Sequence, residues 1–183
     1  MYPFDTIDTI KNRLIARHQT VAVAESVTSG HLQAALSLAE NARQFYQGGL
    51  TAYNLGQKSR HLLVEPIDAQ ESDCVSEAVV RQMALEVARK FSATYGLSVT
   101  GYAAEVPERN IHQPFAFFSI SGEGRTLLTR RVEAPDAGVM EDQLEAARTV
   151  LQLPGAPADI IRALRVQLWF TRQILEAFVQ VIA

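Results

Sequence analysis

The stretch Val21-Ala-Val-Ala-Glu-Ser-Val-Thr-Ser-Gly30 decides how the rest of the chain is read. Its first four residues, small or β-branched and all apolar, predict a short buried strand. Glu25 and Ser26 break the apolar run. Thr28, Ser29 and Gly30 then open an amphipathic helix that carries Leu32, Ala35, Leu36 and Ala39 on one stripe. A strand that ends in hydroxyls and feeds a helix N-terminus sets side-chain oxygens beside unpaired backbone N–H groups. That arrangement suits an exposed nucleophile or an anion site.

On the N-terminal side, Ile7, Ile10, Leu14 and Ile15 recur at helical spacing, so a helix is expected over 5–17, before a strand at 20–25 and a helix over 29–40. Further on, Gly48-Gly49 are expected to release a second strand, Leu50 to Tyr53, and Asn54 to cap a short helix holding Gln57, Lys58 and Leu62. A loop at Pro66 follows. Ser76 then caps the clearest helix of the chain, with Val79, Met83, Val87 and Phe91 as its buried face and Val75 and Val80 placed for a hydrophobic staple. A third strand is expected at 96–100, a loop from Gly101 to Pro114, and a hairpin of Phe115–Ser121 and Thr126–Val132 turning at Gly122-Glu-Gly124.

Helices alternating with strands and closing on a hairpin predict an α/β fold with a mostly parallel sheet and an antiparallel edge. The whole chain, 1–183, reads as one domain. Within it, 134–153 looks like an inserted acidic helical segment, and 157–183 a long C-terminal helix behind Pro154-Gly-Ala-Pro157. That last helix carries Ile161, Leu164, Leu168, Leu175, Phe178 and Ile182 on one stripe, with Trp169 and Phe170 partly outside it. Apolar residues beyond one face predict either added core or a homo-oligomer interface.

Composition narrows the function classes. The 183 residues are 48% hydrophobic and 20% charged, with a net charge of −3 and no Lys/Arg cluster, so no nucleic-acid partner is expected. The single Cys74 excludes an intrachain disulfide and a cysteine zinc cage. No apolar run approaches the ~20 residues of a membrane span, and the start, Met1-Tyr-Pro-Phe-Asp5, lacks the order of a signal peptide; no membrane partner and a cytoplasmic setting are expected.

Few residues carry chemistry. Ser26 needs a base to take its proton before it can attack a carbonyl. His31, five residues on, is near in sequence, but no G-x-S-x-G elbow surrounds Ser26. Lys58, one turn into the helix after the second strand, is the other candidate. It is set to reach the crevice at the C-terminal ends of the strands, where open α/β sheets bind ligands. No H-x-x-x-H, H-x-H or D-x-D pattern offers a metal site, so neither metal nor cofactor is expected.

Ala24-Glu-Ser-Val-Thr-Ser-Gly30 resembles the A-E-S-C-T-G-G signature of the CinA C-terminal domain, the nicotinamide-nucleotide amidase family. The likeness continues in order: Phe45 to Tyr53 resembles its F-x-x-G-x-V-x-Y strand, Asn54 to Lys58 its S-N-E-A-K helix start, Val75-Ser-Glu77 its V-S-E, and Leu97 to Gly101 its strand-to-glycine turn. The resemblance spans about residues 8 to 132 and then the final helix. It implies a three-layer α/β/α sandwich, usually a homo-oligomer (dimer or higher). It also implies an enzyme that hydrolyses the amide of nicotinamide mononucleotide to nicotinic acid mononucleotide and ammonia without a metal.

By that likeness Ser26 is the nucleophile, Lys58 the base and Tyr53 a supporting hydroxyl. Glu25, Thr28, Ser29, Gly30, Thr100, Gly101 and Arg162 bind the substrate, a small molecule of the pyridine-nucleotide kind. The N–H groups from Thr28 to Gly30 are expected to hold the oxyanion. Two departures stand out. Val27 and Ser29 replace the family's Cys and Gly, and Gly101-Tyr-Ala-Ala-Glu-Val-Pro-Glu-Arg109 replaces its G-x-A-G-P-G-G-G loop. Glu105, Val106 and Pro107 cannot close backbone N–H groups around a phosphate as glycines do, which points to changed specificity or to a silent paralogue that binds a nucleotide-like ligand or serves as an oligomeric interaction domain.

Overall fold

The computed structural model describes residues 2–135 and 155–183. All but the first two residues of the 134–153 segment therefore lie outside the described part. Helix α1 (Phe4–Ala16) leads into β1 (Val21–Glu25), α2 (His31–Ser37), β2 (Tyr46–Thr51), α3 (Leu55–Leu62), α4 (Pro66–Glu71), α5 (Glu77–Lys90), β3 (Tyr95–Tyr102), β4 (Phe115–Gly122), β5 (Arg125–Glu133) and α6 (Ala158–Val181). The strands form one sheet in the order β2-β1-β3-β4-β5. β1 runs parallel to β2 and β3, while β4 is antiparallel to both of its neighbours. Four strands thus point one way and β4 is the reversed arm of the edge hairpin. The fold is α/β, with helices on both faces of the sheet.

The alternation in β1 explains the two cores. Val21 and Val23 join Leu14 of α1, Leu32 and Leu36 of α2, and Phe170 and Phe178 of α6 on one face. Ala22 and Ala24 join Leu62 of α3, Ala69 of α4, and Val79, Met83 and Val87 of α5 on the other. A strand covered on both sides favours a continuous apolar run, and Val21 to Ala24 are all fully buried. The side with small residues lets α5 come close: a Cβ added at Gly96 of β3 would lie 2.0 Å from the Ala84 carbonyl oxygen.

Caps explain the helix starts. Asn54 Oδ1 accepts from the Gln57 N–H (3.1 Å) and Ser76 Oγ from the Val79 N–H (3.3 Å). Pro66 opens α4 at its first turn, where its missing N–H costs nothing, so the expected loop there is helical. The second strand begins earlier than its glycines suggested. Gly48 and Gly49 lie inside β2, at a register shift opposite Val21/Ala22. A Cβ at Gly49 would sit 2.5 Å from the Val23 carbonyl oxygen, so close strand approach, not strand release, explains that residue. The hairpin turns on Glu123 and Gly124, both at positive φ (53° and 71°), as a two-residue turn matched to strand twist requires.

Helix α6 supplies added core. Ile161, Val166, Phe170, Ile174, Leu175 and Phe178 are buried, and Trp169 Nε1 donates to the Glu133 carbonyl (3.1 Å). Arg13 and Arg17 of α1 donate to the Val179 and Ile182 carbonyls (2.6 and 3.0 Å), which completes the end of that helix. Among the described residues, no helix is long and apolar enough to cross a membrane.

Candidate active site

The order β2-β1-β3 makes β1 the strand where the chain reverses its direction of travel across the sheet. The crevice at the C-terminal ends of β1 and β3 is where such sheets bind ligands. Ser26 stands at that end of β1. Lys58 reaches it from α3, because Asn54 fixes the start of that helix and Lys58 lies on its inner side. Lys58 Nζ donates to Ser26 Oγ at 2.9 Å and to the Tyr53 carbonyl at 3.2 Å. Lys58 is 1% exposed and Ser26 6% exposed. Burial pushes the Lys58 pKa below the usual lysine range, with Cys74 and Asp73 nearby opposing the shift.

The pair opens onto a cavity of about 520 Å³, whose wall includes Asn54, Asp73, Cys74, Thr100, Tyr102 and Gln167. Burial raises the Cys74 pKa, opposed by Lys58. Tyr102 donates to Asp73 Oδ2 at 2.8 Å; burial and this bond push its pKa up to about 12. Arg109 meets the same oxygen at 2.8 Å, so the loop after β3 is tied to the turn before α5.

The other expected site residues are placed differently. Tyr53 is 74% exposed and touches Lys58 through its backbone carbonyl, not through its hydroxyl. Glu25 is fully buried at the start of α2. It accepts from Thr28 Oγ1 (2.5 Å) and from the N–H groups of Gly30 (3.1 Å), Leu32 (3.0 Å) and Gln33 (2.8 Å). It therefore caps the helix and offers no oxygen to a substrate. The same bonds alter the expected oxyanion cradle. The Gly30 N–H is held by Glu25, and the Ser29 N–H and Oγ both donate to the Ser26 carbonyl (3.1 and 3.3 Å). The Val27 and Thr28 N–H groups have no partner among the described residues.

Thr100 borders the cavity, but its hydroxyl donates to the Cys74 carbonyl at 2.8 Å. Gly101 also borders it, where a Cβ would lie 2.3 Å from the Phe115 carbonyl oxygen, so β4 packing requires glycine. Arg162 lines a second, adjoining cavity of about 640 Å³ rather than the one holding Ser26. His31, the near neighbour in sequence, is half-buried with its Nδ1 2.8 Å from the Tyr2 hydroxyl, and burial lowers its pKa.

Asp73, Tyr102 and Gln167 escaped the sequence reading. Asp73 and Cys74 lie at positive φ (50° and 62°) shortly before the Ser76 cap, a tight corner on the wall of the same cavity as Ser26. The position of that cap was the signal that could have located them. Among the described residues, no group of three or more His, Cys, Asp or Glu side chains is placed to hold a metal ion.

Residues 5–153 match the family described as the CinA C-terminal domain. A CinA-like protein of Solibacter usitatus is 31% identical over 129 residues, which cover 69% of this chain and 31% of that protein. A CinA-like protein of Thermosynechococcus vestitus is 39% identical over 100 residues, covering 54% of this chain and 24% of that one. The chain thus spans under a third of the length of these curated relatives. The solved CinA superfamily protein of Enterobacter cloacae superposes with a TM-score of 0.79 at 24% identity, covering 97% of this chain and 90% of that one. The competence/damage-inducible protein CihA of Agrobacterium tumefaciens gives 0.73 at 20% identity, covering 99% and 98%. Both structures share the fold.

Proposed function

This chain belongs to the CinA C-terminal domain family, and on that premise we propose that it is an amidohydrolase in which Ser26 is the nucleophile and Lys58 the general base. Its substrate is the primary amide of a pyridine nucleotide or a related compound. The observation that carries this reading is the 2.9 Å contact between Lys58 Nζ and Ser26 Oγ, made by a lysine whose burial favours the neutral amine.

The chemistry follows from that contact. A neutral Lys58 accepts the Ser26 proton while one of its own N–H groups stays on the Tyr53 carbonyl. Ser26 Oγ attacks the amide carbon, and the Val27 and Thr28 N–H groups are the donors left for the oxyanion. Lys58 returns the proton to the leaving nitrogen, the C–N bond breaks and ammonia departs. Water, deprotonated by the same amine, then cleaves the ester on Ser26 and releases the carboxylic acid.

A second reading, a catalytically silent member that binds a nucleotide-like ligand or acts as an oligomeric interaction domain, is favoured by one observation. Arg109, the cation of the rebuilt 101–109 loop, is tied to Asp73. Ammonia release from nicotinamide mononucleotide and nicotinamide riboside by the purified protein separates the two, with Ser26→Ala and Lys58→Ala as controls. Release that depends on both residues supports the enzyme; none above the controls supports the silent reading.

A further inference from the structure

The charge around the cavity bears on which amide enters it. Among the described residues lining it, the acidic and basic side chains are Lys58 and Asp73. Lys58 is buried and inclined to be neutral, whereas the Asp73 side chain is 43% exposed. Arg109 and the Tyr102 hydroxyl both converge on Asp73 Oδ2, so this cation is held against the carboxylate. Ala103 borders both this cavity and the adjoining one. There Arg162 has a partner of its own and shares the wall with Glu105 and Asp159. A phosphate monoester carries close to two negative charges at neutral pH and would meet a carboxylate in either direction. A pyridinium cation without a phosphate would be attracted by the same groups.

Resting on the amidohydrolase reading above, we infer that the site takes a heteroaromatic carboxamide that lacks a phosphate, at the nucleoside level or below, and that Asp73 is the residue selecting it. The reaction is unchanged: the C–N bond breaks, water supplies the oxygen of the new acid, and ammonia leaves.

The test compares kcat/KM for ammonia release from nicotinamide riboside and nicotinamide mononucleotide. The riboside is expected to lead by about tenfold or more, since like charges set side by side disfavour the wrong partner. Asp73→Asn should bring the two substrates closer together by about tenfold. If that variant fails to fold by circular dichroism, Arg109→Ala, which uncovers the carboxylate, should widen the gap instead. A mononucleotide used as well as the riboside, or a ratio that the folded variant does not move, overturns the inference while leaving the amidohydrolase intact. If neither amide is hydrolysed, the amidohydrolase reading falls, and calorimetric titration of the Ser26→Ala protein with both compounds decides the selection alone. Tighter riboside binding supports it; equal binding, or binding of neither, overturns it.

Discussion

Lys58 Nζ lies 2.9 Å from Ser26 Oγ across 32 residues of sequence, with both groups shielded from solvent. A buried lysine without a carboxylate in hydrogen-bond contact is unfavourable unless it is neutral, and a neutral amine is the form that takes a proton.

The pH profile follows from this. Activity should rise with pH as Lys58 loses its proton, through a midpoint below the ~10.4 of a free lysine. Asp73 and Cys74, which oppose the shift, limit how far it falls. A kcat/KM profile checks it, and Lys58→Ala should lose the limb and about 10²–10⁴ of the rate.

The same burial should cost stability. Unfolded Lys58 binds a proton at neutral pH more readily than the folded form does, so stability rises with pH between the folded pKa and ~10.4. Lys58→Met should therefore melt higher than the parent near neutral pH. The gain should shrink as pH climbs toward the ordinary lysine range. Melting curves across that range check the sign, and a gain that grows with pH would contradict it.

Glu25 presents the opposite case. Replacing it by Ala leaves the Thr28 hydroxyl and the Gly30, Leu32 and Gln33 N–H groups without their acceptor. The expected loss is about 2–3 kcal/mol in denaturant unfolding. Thr28 and Gly30 lie two and four residues after Ser26 in the same turn, so activity should fall with stability.

Tyr53 should matter little through its ring. Its side chain is largely exposed and its carbonyl makes the contact, so Tyr53→Phe should keep kcat within about twofold, a surface change of small effect. A fall of a hundredfold would restore the hydroxyl to the mechanism.

These residues also show what a sequence can carry. The run of small and β-branched apolar residues at 21–24 dictated a buried strand, and the Asn54 cap placed Lys58 one turn into α3 at the sheet end. Those signals are local and periodic. The direction of Glu25 was not local: Ser29 and Gly30 at positive φ (48° and 104°) fold the turn back, so that three amides converge on one carboxylate. Tyr53, two residues past β2, had no pairing to orient its ring. Asp73 came to the cavity through a corner between two helices, and the Ser76 cap three residues on is the one local signal of that corner.

The most direct measurement is acid-quenched mass spectrometry of the protein mixed with nicotinamide riboside or mononucleotide. An acyl adduct is expected on the peptide bearing Ser26, formed as ammonia is released and absent from Ser26→Ala. Ammonia release that persists in Ser26→Ala, or an adduct on a different residue, would contradict it.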